Sequence, residues 1–288
     1  MKKLFTKIVP LAYGQLFNLG VLFNKTATAK KAFDVFCTIR KGRVLPIQNA
    51  FLEAAKFERI QVAGHQIQTY HWKGKGPSVL LMHGWESNTH RWRNLINKLK
   101  QNGFTIYAFD APGHGNSSGK RLQVPLYAEV TRHILDRYTP DHVVAHSVGG
   151  MTIHYVHFVN PESSPEKIIT IGSPCEFSQF MDHYQALLKF NDRVREAMNQ
   201  RLKEWFGFYF HEFSSARFVQ KNTKKGLLFH DKDDAQVPVE ASKRVHEHWK
   251  GSELRITQGL GHSMHQDAIN EQIIDFLQGV TILQEKVV

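Results

Sequence analysis

Val143-Val144-Ala145-His146-Ser147-Val148-Gly149-Gly150-Met151 is the stretch on which the reading of this chain turns. An apolar run of strand length enters a tight turn with a serine at its tip, and helix-compatible sequence follows. Such a turn holds the serine in a strained conformation and exposes its hydroxyl. Strand and helix pass close together there, so the flanking residues must be small, and Gly149 and Gly150 meet that need. Ala145 stands where the G-x-S-x-G pattern has its first glycine, and it is still small. A small-residue turn without chemistry would read the same way in isolation.

Segments on either side give the turn its context. Upstream, Ser78-Val79-Leu80-Leu81-Met82 and Phe104-Thr105-Ile106-Tyr107-Ala108-Phe109 are short apolar runs, and a first strand signal stands at Arg59-Ile60-Gln61-Val62. Downstream come Lys167-Ile168-Ile169-Thr170-Ile171, Gly226-Leu227-Leu228-Phe229 and Glu253-Leu254-Arg255-Ile256. Runs of this length suit strands buried on both faces of a sheet. Between them lie helical faces: Trp92, Leu95, Ile96 and Leu99; Val130, Ile134 and Tyr138; Ile273, Ile274 and Leu277. Strands alternating with helices predict an α/β fold with a mostly parallel central sheet and helices on both faces. Residues 176–222 break the rhythm. They are rich in Phe, Tyr and Trp without a clear core strand, and read as an inserted helical cap. Its aromatics would form its own core or wall an apolar pocket. The expected organisation is a basic helical segment over residues 1–50, then one domain over 51–288 that carries the cap.

A serine hydroxyl is a weak nucleophile near neutral pH and needs a base. Gly259-Leu260-Gly261-His262-Ser263 follows the last strand and precedes the last helix, and its glycines let the loop bring the His262 imidazole over Ser147. His230-Asp231-Lys232-Asp233-Asp234-Ala235-Gln236-Val237-Pro238 lies beyond the preceding strand. A carboxylate from it can accept the other imidazole N–H and fix the tautomer. Asp231, Asp233 and Asp234 all compete for that part.

The chain resembles the α/β-hydrolase family over roughly residues 55–280, on four motifs in register. They are the serine turn, His83-Gly84-Trp85, Asp110-Ala111-Pro112-Gly113-His114-Gly115-Asn116-Ser117, and Asp234 placed three residues before Val237-Pro238. The resemblance implies an α/β-hydrolase fold and a serine hydrolase with Ser147 as nucleophile, Asp234 as acid and His262 as base. It also implies an oxyanion hole from the backbone N–H groups of Trp85 and Val148. Departures are Ala145 for Gly and Asp231 where the acid loop often has Gly; the second keeps Asp231 and Asp233 as rivals of Asp234. Dehalogenase and epoxide hydrolase relatives use a carboxylate where this chain has Ser147. Thioesterases, acyltransferases and carbon–carbon bond hydrolases share the serine triad and stay open, as does a non-catalytic ligand-binding protein on the same fold. A carboxylic ester with an apolar acyl group is the expected substrate.

Composition bounds the partners. The chain has 288 residues, and its two cysteines, Cys37 and Cys175, form neither a CxxC pair nor a disulfide framework, which points to a reducing, cytoplasmic setting. The His154/His157 and His262/His265 pairs lack the company of a zinc site, so no metal and no cofactor are expected. A formal charge of +11 fits a solvated basic surface or attraction to anionic lipid. No nucleic-acid-binding motif is present, and no nucleic-acid partner is expected. Lys2, Lys3 and Lys7 precede an apolar stretch over residues 8–23 that Gly14, Gln15, Asn18 and Gly20 interrupt. That stretch is too short and mixed to span a bilayer, and reads as a helix laid on a membrane surface, packed beside the cap where it would guide apolar substrate, or packed on the core. Ala27-Thr28-Ala29 resembles a signal-peptidase site, against which Lys25 and the interruptions count.

Overall fold

The computed structural model describes residues 2–280, with side chains from residue 8 onward. Lys2, Lys3 and Lys7 of the basic N-terminal cluster lie outside the described side chains, and residues 281–288 of the expected catalytic domain lie outside the described residues. In chain order the elements are α1 (Lys2–Phe23), α2 (Lys25–Phe36), α3 (Pro46–Glu53), β1 (Lys56–Val62), β2 (His65–Trp72), β3 (Ser78–Met82), α4 (Arg93–Gln101), β4 (Thr105–Phe109), α5 (Val124–Tyr138), β5 (His142–His146), α6 (Val148–Val159), β6 (Lys167–Ile171), α7 (Phe177–Leu188), α8 (Asp192–Phe206), α9 (Ser215–Phe218), β7 (Lys225–Asp231), α10 (Glu240–His248), β8 (Ser252–Thr257) and α11 (Asp267–Gln278). The chain divides into two compact units, residues 39–175 with 218–288, and residues 1–38 with 176–217.

In the larger unit the described strands form one eight-stranded sheet in the order β1-β2-β4-β3-β5-β6-β7-β8. Strands β3 to β8 run parallel to one another, while β2 is antiparallel to both β1 and β4. The apolar runs explain the centre: every residue of β5 is buried, as are Val79, Leu80, Leu81 and Met82 of β3. Helix α4 closes over the sheet with Leu95, Ile96 and Leu99, and α11 with Ile273, Ile274 and Leu277, joining one apolar core. Strand β2 is the element that apolar patterning misses. Its sequence, His-Gln-Ile-Gln-Thr-Tyr-His-Trp, mixes polar residues throughout. It is set instead by a two-residue turn at Ala63 and Gly64, both at positive φ, which pairs Val62 with His65. Positive φ at both positions is the backbone twist that tight hairpins require.

In the smaller unit α1 and α2 pack with α7 and α8, so residues 1–38 and 176–217 share one set of helix contacts. Asn24 caps α2 by accepting from Ala27 N–H at 2.9 Å, and Asn191 caps α8 by accepting from Val194 N–H at 3.1 Å. The aromatic residues of residues 176–217 pack on one another and on α2. Phe177 lies 5.9 Å from Phe210 and 6.0 Å from Phe213 and Phe36, and Phe33 lies 5.7 Å from Trp205. Tyr184 donates its hydroxyl to the Ala32 carbonyl at 3.0 Å.

Candidate active site

Strand β5 ends in the middle of the sheet, and Ser147 is the residue between it and α6. Its φ of 53° and ψ of −124° are a conformation that non-glycine residues rarely adopt. Its N–H is tied to the Ile171 carbonyl at 2.9 Å, which fastens the turn to β6. The turn closes only because its neighbours are small. A Cβ on Gly149 would lie 2.8 Å from the His83 carbonyl oxygen, one on Gly150 2.6 Å from Ser173 Oγ, and one on Gly84 3.0 Å from Ser147 Cβ. Ala145 is fully buried in β5, in register with Met82 and Thr170, and its methyl group is accommodated there.

His262 and Asp234 come from the loops after β8 and β7, and His262 links Asp234 to Ser147. His262 Nε2 lies 3.0 Å from Ser147 Oγ, and His262 Nδ1 lies 2.6 Å from Asp234 Oδ2. A carboxylate can only accept, so Nδ1 carries the proton and Nε2 is left to accept the serine hydroxyl. Burial pushes the Asp234 carboxyl up, but hydrogen bonds from His230, His262 and the N–H groups of Val237 and Gln236 hold it well below the usual carboxylate range. Those two backbone donors reach Oδ1 at 3.0 and 2.8 Å. The rival carboxylates are engaged elsewhere. Asp231 accepts from Thr257 Oγ1 at 2.7 Å and from Leu260 N–H at 3.0 Å, and Asp233 accepts from Gly259 N–H at 3.1 Å. Both brace the loop that carries His262.

The His83-Gly84-Trp85 segment follows β3 and is pinned from three sides. His83 accepts from Ala111 N–H at 2.9 Å through Nε2 and donates from Nδ1 to its neighbour Gly84 O at 2.8 Å, while its carbonyl accepts from Tyr127 at 3.0 Å. Burial brings its pKa down to about 4. His114 accepts from Glu86 N–H at 3.0 Å, next to Trp85. Asp110 accepts from Thr89 N–H and Oγ1, from Tyr70 and from Asn116 N–H, so its carboxylate shapes the loop around it. Val148 is the first residue of α6, where a backbone N–H has no partner within the helix.

Four residues that the sequence did not single out for the site belong to its surroundings. His146 donates from Nε2 to the His262 carbonyl at 2.9 Å, and its ring meets the His262 ring edge-on at 4.7 Å. Arg91 donates to the Ser263 carbonyl at 3.1 Å. The His262 loop is therefore held at two successive carbonyls. His230 is buried, with Nε2 2.9 Å from the Val237 carbonyl and 3.4 Å from Asp234 Oδ2. Gly172, at φ 57°, leaves room for the pair: a Cβ there would lie 3.2 Å from His262 Nδ1 and 3.4 Å from Asp234 Oδ2. The only advance sign of these roles was adjacency, since His146 precedes Ser147 and Gly172 ends the β6 run.

Comparison with known proteins agrees with this fold. Residues 77–187 match the family described as α/β hydrolase fold, and residues 210–286 match one described as TAP-like protein. A pimeloyl-acyl-carrier-protein methyl ester esterase from Vibrio vulnificus is 25% identical over 170 residues, which are 55% of this chain and 63% of that esterase. An esterase from Exiguobacterium antarcticum superposes with a TM-score of 0.63 at 20% identity, over 77% of this chain and 100% of its own. A meta-cleavage product hydrolase from Pseudomonas fluorescens gives 0.59 at 16% identity, over 78% and 98%. At these identities the two structures speak for the fold.

Proposed function

The chain belongs to the α/β-hydrolase family, and on that premise we propose that it is a serine hydrolase cleaving a carboxylic ester through an acyl-enzyme. One observation carries the reading: Ser147 Oγ, the His262 ring and the Asp234 carboxylate lie in one hydrogen-bonded line, with links of 3.0 and 2.6 Å.

In the first step His262 Nε2 takes the Ser147 proton as Oγ attacks the ester carbonyl. Negative charge gathers on the former carbonyl oxygen, and the N–H groups of Val148 and Trp85 stabilise it, each by about 3–4 kcal/mol in comparable sites. The imidazolium formed on His262 is stabilised by ionised Asp234. It returns the proton to the leaving alcohol as the carbon–oxygen bond breaks. Water, deprotonated by His262, then attacks the acyl-enzyme and releases the acid with Ser147 restored.

A small ester with an apolar acyl chain is the preferred substrate. The Vibrio relative is named for a methyl ester, which supports ester hydrolysis in general. The same step with an alcohol in place of water is acyl transfer. A thioester, or a carbon–carbon bond beside a carbonyl, would use the same three groups.

Labelling with a fluorophosphonate probe tests the assignment. The chain should label once and hydrolyse p-nitrophenyl esters, and Ser147→Ala should abolish labelling and nearly all turnover while leaving the folded structure intact. Labelling and activity that survive in Ser147→Ala would refute it. A panel of acyl lengths, run with and without added alcohols, separates hydrolysis from acyl transfer.

A further inference from the structure

Among the described side chains, helix α1 is apolar on its buried side and mostly apolar on its exposed side. Gly14, Phe17 and Val21 form its buried stripe. Gly14 lets the helix approach α7 so closely that a Cβ would lie 1.7 Å from the Leu188 carbonyl oxygen. Asn18 accepts from Asn191 N–H at 2.7 Å and so fixes the rotation of the helix about its axis. With that rotation set, Leu16, Leu19, Leu22 and Phe23 face outward at 58%, 60%, 58% and 88% exposure, and Ile8 stands exposed on the same side. At 100° per residue these positions fall on one half of the helix surface. A helix on a protein surface ordinarily turns charged and polar residues to water. Between residues 8 and 23 this one contains no charged residue at all.

Charge is concentrated at the two ends of that stretch. Lys2, Lys3 and Lys7 precede it in the sequence, Lys25, Lys30 and Lys31 follow it, and the first acidic residue of the chain is Asp34. Asp34 binds Lys30 at 2.7 Å. Among the described residues no helix is long and apolar enough to cross a membrane. An apolar helix face flanked by lysines suits the plane of an anionic bilayer, with leucines among the upper acyl chains and ammonium groups at the headgroup phosphates. We propose that the outward face of α1, from Ile8 through Leu16 and Leu19 to Phe23, docks this protein on anionic lipid surfaces. The proposal stands on the smaller unit alone and does not depend on the ester reading.

Flotation of the full chain with vesicles tests it, using phosphatidylcholine with and without phosphatidylglycerol at low salt. The full chain should float with phosphatidylglycerol vesicles and not with phosphatidylcholine alone. Leu19→Glu combined with Phe23→Glu should lower the bound fraction about tenfold or more. The thermal midpoint should be unchanged, because both side chains face water. Lys25→Gln with Lys31→Gln should weaken binding and flatten its salt dependence. A full chain that stays unbound on phosphatidylglycerol vesicles would overturn the proposal. So would an undiminished Leu19→Glu/Phe23→Glu variant. A dimer in solution that the same variant splits, with no vesicle binding by the parent, would reassign the face to self-association.

Discussion

Asp234 is the residue at which neighbouring side chains and backbone set the chemistry. Its carboxylate is buried, which alone would favour the neutral acid, yet four hydrogen-bond donors converge on it and keep it ionised. Three of them, His230 and the N–H groups of Gln236 and Val237, hold the carboxylate in place; the fourth is the His262 N–H whose tautomer it fixes. Asp234→Asn should therefore lower kcat by about 10³–10⁴ through loss of the right tautomer and of imidazolium stabilisation. Asp233→Asn removes only one bond to Gly259 N–H, and should lower kcat by less than about tenfold. Asp231→Asn should show chiefly as a lower thermal midpoint, because that carboxylate ties Thr257 and Leu260 into the loop. Steady-state kinetics and melting curves on the three variants separate these roles. An Asp231 or Asp233 variant that matched Asp234→Asn in kcat with an unchanged midpoint would move the acid to that residue.

At the scale of elements, the strand–turn–helix of β5 and α6 was legible because it is local. Its signature is an apolar run, a serine and two glycines, and nothing distant is needed to read it. The same holds for β3, β5, β6 and β7, whose apolar runs reflect burial on both faces, whereas the edge strand β8 has no fully buried residue. Strand β2 was not legible, because its alternation is diluted by Gln66, Gln68 and His71 and its position is set by the turn before it. The packing of α1 and α2 with α7 and α8 was legible only as one alternative among three, a first helix packed beside the cap. It joins segments about 170 residues apart in the chain through shape at Gly14 and Phe33, which leaves no period in either segment. Within the candidate site, Ser147, His262 and the acid loop were singled out by motif and spacing, whereas His146, Arg91 and Gly172 enter it through contacts that form only on folding. The tight passage of α6 past β3 gives an element-scale prediction. Gly149→Ala puts a methyl group 2.8 Å from the His83 carbonyl and 3.0 Å from that of Met82, both backbone atoms that cannot step aside. The helix must retreat, carrying Val148 N–H with it. Stability should fall by about 1–3 kcal/mol in urea unfolding, and kcat should fall together with it. Full activity at unchanged stability would mean that the turn has slack.

At the scale of the whole molecule, the histidines set how the fold responds to acid. The chain has 17 of them, and several are buried as neutral rings. Burial brings His83 down to about 4, and it brings His114 and His154 down to about 3, with His83 and His157 respectively adding positive charge nearby. In the unfolded chain each of these rings would take up a proton near pH 6.5. Below that pH the unfolded state binds protons that the folded state refuses, so stability falls with pH until the folded rings protonate near pH 3 to 4. At about pH 5 each fully buried ring has cost about 2 kcal/mol, a large share of the 5–15 kcal/mol that domains usually have. The added positive charge on an already basic chain acts in the same direction. His154 is the cleanest probe. It sits on α6 with its ring edge-on to Trp249 at 5.5 Å, and neither nitrogen has a hydrogen-bond partner among the described residues. Replacing it with leucine removes a titrating group without breaking a bond. Urea unfolding of the parent should show a clear loss of stability between about pH 7.5 and pH 5. His154→Leu should lose about 2 kcal/mol less over the same interval, while the remaining histidines keep part of the slope. A parent equally stable at both pH values, or a His154→Leu variant with the parent's full slope, would show that the buried rings do not govern acid sensitivity.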